Sequence, residues 1–324
     1  MKLLRWFALL LGLAALATLI IDSGIHQIGA LLAKGGLKLF LVPFVMLIPM
    51  MLDAKGWQVL VDNPPPWRRF LYARWVGESV NTLLPAAQVG GLFVKSYLLG
   101  KVMQEPELAI ASAIVADTVS ALSLLFFIAL TLGLMVTHGV DSRIVLPIAA
   151  GTLVFCIPIY IFYRLQRGGA ASFHPRLRKW ASKVTALAGA RSDSGGIRKN
   201  LEKIYADKER ILKSFVLQLL GWLLGTIEVW VTVHLLGGTL SPTEALLLEG
   251  MGQTIRNIAF FIPGALGIQE GAYLVIGTML GLTPTLALSI SLVKRFRELA
   301  QGIPGLIAWQ ASEGWSFFRR LYRH

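Results

Sequence analysis

The residues that could do chemistry in this chain are charged side chains standing where apolar ones are expected. Lys294, Arg295, Arg297 and Glu298 crowd into one stretch that otherwise reads as a membrane helix. Lys294, Arg297, Glu298 and Gln301 keep the i, i+3, i+4, i+7 spacing of a single helix face, and Arg295 lies on another. Asp117 and Glu228 sit well inside two further apolar stretches. Insertion scales charge about 2.5–3.5 kcal/mol for each Arg, Lys or Asp at the centre of a lone membrane helix. These groups must therefore face one another or a wet cavity. One reading is a cationic cavity for an anionic lipid headgroup. Arg256, Lys294, Arg295, Arg297 and Lys95 would bind it, while Asp117, Glu228, Glu270 and Glu298 balance charge or carry protons. The other reading is a neutralising lock, with Asp117 and Glu298 set against Arg295 and Arg297. Asp53 and Lys55 fall near a span end and read as interfacial residues.

Other chemistries lack their residues. The single cysteine, Cys156, lies in an apolar run, and the five histidines show no metal-ligand spacing. No G-x-S-x-G, H-E-x-x-H, Walker A or G-x-G-x-x-G sequence occurs, and Gly77-Glu78-Ser79 lacks the closing glycine of a nucleophile elbow. The expectation is a protein that is not an enzyme and needs neither cofactor nor metal.

The elements that must hold these charges are membrane spans. Of 324 residues, 55% are hydrophobic and only 15% charged, against roughly 25% charged in soluble domains. The net charge of +13 is concentrated in residues 164–213, a basic loop that argues for membrane orientation rather than nucleic acid. Six apolar stretches of spanning type cover residues 7–21, 37–60, 108–136, 144–163, 215–236 and 286–309. Residues 25–37 read as an interfacial connector, and 197–213 as an amphipathic helix on the cytoplasmic surface. Trp67, Trp75, Trp309 and Trp315 read as interfacial anchors. Two apolar segments, 70–101 and 245–282, are interrupted by Pro and Gly and hold Glu78, Asn81, Gln88, Lys95, Glu249, Arg256, Asn257, Gln269 and Glu270. They read as re-entrant broken hairpins, the breaks near Pro85–Gly91 and Pro263–Gly267, because irregular backbone at membrane depth survives only in protein or beside water.

A constant offset of 178 residues carries Pro85 onto Pro263, Pro106 onto Pro284 and Asp117 onto Arg295. It defines repeat one, 37–136, and repeat two, 215–312, within a single integral membrane domain, 1–324. The extra span between them makes this an inverted repeat, an architecture that places substrate at the repeat interface. The expected fold is all-α and polytopic: about six full spans and two broken hairpins. With the basic loop in the cytoplasm, both termini fall there too, across a cell's inner membrane.

Gly77-Glu-Ser-Val-Asn81-Thr-Leu-Leu-Pro85 with Gly90-Gly91 and Lys95, then Ile262-Pro-Gly-Ala-Leu-Gly267-Ile-Gln-Glu-Gly271, resembles the transmembrane, flippase-like part of the lysylphosphatidylglycerol synthase superfamily. The resemblance covers about residues 5–312 and looks most similar to the short branch associated with hopanoid biosynthesis. It implies lipid translocation through a cavity between inverted repeats. By motif position it points to Asn81, Pro85, Gly91 and Lys95, and to Arg256, Asn257, Pro263, Gly267 and Glu270. The cytosolic synthase domain of larger members has no counterpart in these residues, so the expectation is a flippase moving a polar or anionic, isoprenoid- or hopanoid-type lipid. The alternative is a non-transporting membrane subunit that presents lipid to a separate biosynthetic enzyme.

Overall fold

The computed structural model describes residues 14, 17–84, 89–103, 105–139, 142–167, 194–258 and 265–314, and among them it is helical without a strand. Pro85 and Pro263 lie outside the described residues, as do residues 7–13, 15 and 16 of the expected first span and residues 168–193 of the basic loop.

The helices are α1 (Ile25–Gly35), α2 (Leu47–Val59), α3 (Trp67–Leu83), α4 (Val89–Gly100), α5 (Pro106–Thr137) and α6 (Ser142–Arg167). They continue with α7 (Ser194–Ala206), α8 (Lys208–Leu235), α9 (Pro242–Ile258), α10 (Ile268–Met279) and α11 (Pro284–Trp309). Residues 25–37 are not a separate connector. A 3-10 turn, Gly36–Leu41, and a helical turn, Val42–Val45, join α1 to α2. Gly36, at φ 51°, supplies the bend that an α-helix cannot.

Four helical stretches are long and apolar enough to cross a membrane: Ile25–Val59, Pro106–Thr137, Val145–Arg164 and Lys208–Leu235. Helix α11 has the length, 26 residues, but the charges between Lys294 and Glu298 keep it out of that set. Along α6, Leu146, Leu153 and Val154 all point outward, Leu153 with 70% of its surface exposed. A soluble protein does not leave such a stripe uncovered, whereas lipid covers it. This is a multi-pass all-α membrane protein.

The chain divides into two compact units. One comprises Met1–Pro49, Leu125–Cys156 and Trp222–Ala300; the other Met50–Leu124, Ile157–Gly221 and Gln301–His324. Each holds one helical hairpin. In the first unit α9 packs on α10, and in the second α3 packs on α4. Both hairpins pair a 17-residue helix with one of 12 residues. Twelve residues rise about 18 Å, short of the roughly 30 Å hydrocarbon core.

Local chemistry sets the helix ends. Pro106 and Pro284 each open a helix, where a missing N–H costs nothing. Ser241 and Glu244 form a reciprocal capping box at α9, through Ser241 N–H to Glu244 Oε2 (2.7 Å) and Glu244 N–H to Ser241 Oγ (3.2 Å). Asp207 separates α7 from α8, its Oδ1 accepting the Arg210 N–H at 3.1 Å.

That break revises the expectation for 197–213. The apolar stripe of α7 (Ile197, Leu201, Ile204) is buried in the core of the second unit with Trp57, Leu60 and Phe70, rather than laid on lipid. Lys203 of α7 and Arg210 of α8 both pair with Asp62, in the turn before α3, and so fasten the ends of both helices. These two partners hold the Asp62 carboxyl below its usual value, and Asp62 in turn raises Lys203. The expected anchors Trp75 and Trp309 also turn inward: Trp75 Nε1 donates to the Gln301 carbonyl at 2.9 Å, and Trp309 is buried in the core.

Candidate functional site

Each unit carries one cluster of charged side chains on its hairpin and the helices around it. In the first unit, α8 supplies Glu228, α9 supplies Glu249 and Arg256, α10 supplies Glu270, and α11 supplies Lys294, Arg295, Arg297 and Glu298. Lys294 Nζ lies between Glu249 (2.7 Å) and Glu228 (3.1 Å). Arg297 donates from Nε to Glu228 at 2.9 Å. Arg295 reaches Glu270 at 2.8 Å and Glu298, one turn along its own helix, at 3.1 Å. Arg256 pairs with the other oxygen of Glu298 and donates to Gln269 Oε1 at 3.1 Å. Glu249 also accepts from the Tyr273 hydroxyl (2.7 Å) and Gln253 (2.9 Å).

Four cations thus meet four carboxylates, and the excess of positive charge expected from the sequence is absent from this cluster. Lys95, counted with these cations, belongs instead to the second unit with Asp117. Glu249, left out of the count, is a full member. The charge is nonetheless layered. The carboxylate side chains are 0–6% exposed, whereas Arg297, Arg295 and Arg256 are 12%, 15% and 21% exposed. The arginine side chains are thus the more exposed members of the cluster and the carboxylates the more buried.

Glycine at the start of α10 makes this possible. Gly267, at φ 78°, turns the chain so that its N–H donates to Glu270 Oε2 at 2.7 Å. Glu270 then presents its other oxygen to Arg295. A carboxylate closing a helix N-terminus is doubly suited, because the first-turn N–H groups carry partial positive charge.

In the second unit, Arg74 on α3 spans Asp53 (2.9 Å) and Glu78 (2.6 Å). Lys95 on α4 pairs with Asp117 on α5, and its ammonium stands 5.3 Å from the Trp57 ring centre. Asp53, Trp57, Arg74, Lys95 and Asp117 line a cavity of about 20 Å³ with Ser120 and Gln218. The expected pairing of Asp117 with the arginines of α11 is therefore replaced by Lys95. Asp53, expected at the interface, is a cluster member.

Asn81 and Gly91 hold the hairpin together. The Gly91 N–H donates to Asn81 Oδ1 at 2.8 Å, serving a first-turn N–H that α4 itself leaves unpaired. A Cβ on Gly91 would strike the Gly77 carbonyl and Asn81, so α3 and α4 meet backbone to backbone. Asn257 donates to the Gln253 carbonyl within α9 (2.7 Å) and is not among the ion-paired groups. The sequence reading passed over Arg74, Trp57, Gln218 and Tyr273. Only Arg74 carried a local signal, its i, i+4 spacing from Glu78.

The family model of the lysylphosphatidylglycerol synthase TM region matches residues 5–305. A UPF0104 membrane protein of Methanothermobacter thermautotrophicus is 22% identical over 306 residues, 89% of each chain. No solved structure matches significantly. The chain belongs to the lysylphosphatidylglycerol synthase transmembrane family.

Proposed function

We propose that this member of the lysylphosphatidylglycerol synthase transmembrane family is a lipid flippase rather than an enzyme, moving a lipid with an anionic headgroup across a cell's inner membrane. A hopanoid- or other isoprenoid-type lipid is one class of cargo. The observation that carries the reading is the layering of the first-unit cluster, with guanidinium groups outward and carboxylates sealed behind. Arginine suits the task because its planar fork takes two phosphate oxygens at once and it never deprotonates. The broken hairpins α3–α4 and α9–α10 act as re-entrant elements of an inverted repeat, with both chain termini in the cytoplasm.

The test is flux of a fluorescent short-chain phosphatidylglycerol in reconstituted vesicles. Wild-type protein moves it faster than protein-free vesicles do. Arg256→Lys and Arg295→Lys, which keep the charge but lose the fork, slow it tenfold or more while the protein stays folded. Wild-type flux no greater than that of empty vesicles overturns the reading. A second reading has its own support: the four-to-four pairing equally suits a subunit that holds lipid for a separate enzyme. Saturable lipid binding without flux favours that one.

A further inference from the structure

The first unit also holds a cavity of about 310 Å³, lined by no carboxylate, lysine or arginine among the described residues. Met135 near the end of α5, Leu247 and Met251 on α9, and Ile276 on α10 form its floor, all 0–3% exposed. Met279 and His138, both exposed, stand at its rim. Helices α5 and α9 touch one turn earlier, where a Cβ on Gly250 would strike the Thr131 side chain, and the cavity opens beyond that contact. It faces away from the ion-paired cluster. At about 3.6 residues per turn, Leu247 and Met251 share one side of α9, with Glu249 and Arg256 on the opposite side. On α10, Met279 likewise stands about half a turn round the helix from Glu270.

Water suits this space poorly. About ten molecules at roughly 30 Å³ each would fit, but each needs two to four polar partners, and the floor offers only hydrocarbon and thioether sulfur. Left empty, its walls lose the dispersion contacts of a packed core. Its volume instead reaches the roughly 300–1,000 Å³ range of ligand pockets. In a multi-pass membrane protein the apolar molecule present in excess is lipid. Three of the chain's 8 methionines line this one cavity. Their unbranched, polarisable side chains re-pack around chains of differing length and shape. His138 gives the mouth a polar edge, because its Nδ1 is engaged with the Leu134 carbonyl at 2.9 Å, leaving Nε2 to accept from a headgroup hydroxyl.

We propose that this cavity is a lipid-chain site separate from the charged cluster: one hydrocarbon chain of a bilayer phospholipid fills it and braces the α9–α10 hairpin against the end of α5. The inference does not depend on the flippase reading. A transporter and a presenting subunit would carry the same resident lipid, and binding makes and breaks no covalent bond.

The experiment reconstitutes the full chain in vesicles containing phosphatidylglycerol with a diazirine at the end of one acyl chain. Irradiation is followed by mass-spectrometric mapping of the labelled peptides. Residues 135–139, 247–251 and 276–280 carry more label than the outward stripe of α6, which reports ordinary bilayer contact. Met251→Trp places an indole where the chain would lie and cuts the cavity label about tenfold, equivalent to about 1.4 kcal/mol of lost affinity. The α6 label stays unchanged. Cavity labelling no stronger than that of α6, or undiminished in Met251→Trp, overturns the site. Labelling by photoactivatable palmitate but not by the phospholipid overturns it too, assigning the space to a free fatty acid. Should Met251→Trp fail to fold, Ile276→Phe and thermal melting in detergent decide the matter. Added phosphatidylglycerol raises the melting temperature of the wild type more than that of the variant, and an equal rise refutes the proposal. None of these readouts uses flux, so a failure of the flippase reading is distinguishable from a failure of this one.

Discussion

Replacing Lys294 by Met tests whether the first-unit cluster carries the stability that its burial implies. Lys294, Glu228 and Glu249 have side chains 1%, 0% and 5% exposed, so solvent screens none of them. Methionine keeps much of the side-chain length and removes the charge. Glu228 then retains Arg297 at 2.9 Å, while Glu249 retains the neutral donors Tyr273 and Gln253. Removing one partner of a buried ion pair costs about 3–5 kcal/mol, because the other charge stays buried without compensation. That corresponds to a fall in melting temperature on the order of 10 °C. Intrinsic tryptophan fluorescence during heating in detergent reads it directly. The sharper result comes from the double variant Lys294→Met/Glu249→Gln, which removes the stranded charge as well. It recovers at least half the loss, a coupling of about 2 kcal/mol. A single variant that melts with wild type, or a double variant no more stable than the single, refutes the argument that these charges stabilise one another.

Two further outcomes follow from local geometry. Gly267→Ala puts a Cβ on a residue at φ 78°, which costs about 1–2 kcal/mol; it also misaligns Glu270 under Arg295, so melting temperature and lipid flux fall together, and unchanged flux would separate the turn from the site. Asp62, held below its ordinary 3.8 by Lys203 and Arg210, contributes stability that is complete above that value and fades as pH falls through the lower folded value. Lys203, raised above its ordinary 10.5, contributes below that value and loses its share only in stronger alkali. Helix α7 therefore stays docked across the neutral range and loosens in acid, while Asp62→Asn loosens it at neutral pH; limited proteolysis that cuts α7 equally in both proteins would count against the clamp.

Four of the spans and the helical pairs α3–α4 and α9–α10 were legible in the sequence because their signals are local. Twenty or so apolar residues, and Pro106 and Pro284 at helix starts, each act through the backbone of their own segment. Both hairpins follow a 17-residue helix with a 12-residue one. What the sequence concealed was partnership. Lys95 and Asp117 lie one hairpin helix and one span apart, and no periodicity joins them. The stripe of α7 reads as a membrane-surface face, yet its apolar side closes a protein core. Amphipathicity states that a face must be covered and not by what.

The same distinction governs how the charges work. Counted along the chain, cations outnumber acids and an anion should simply be attracted. Grouped by contact, the four cations of the first-unit cluster already have four carboxylates, and attraction gives way to exchange. On the flippase reading, an anion gains a place at Arg256 or Arg295 only as Glu298 or Glu270 gives one up, and Glu270 is also tied to the Gly267 N–H.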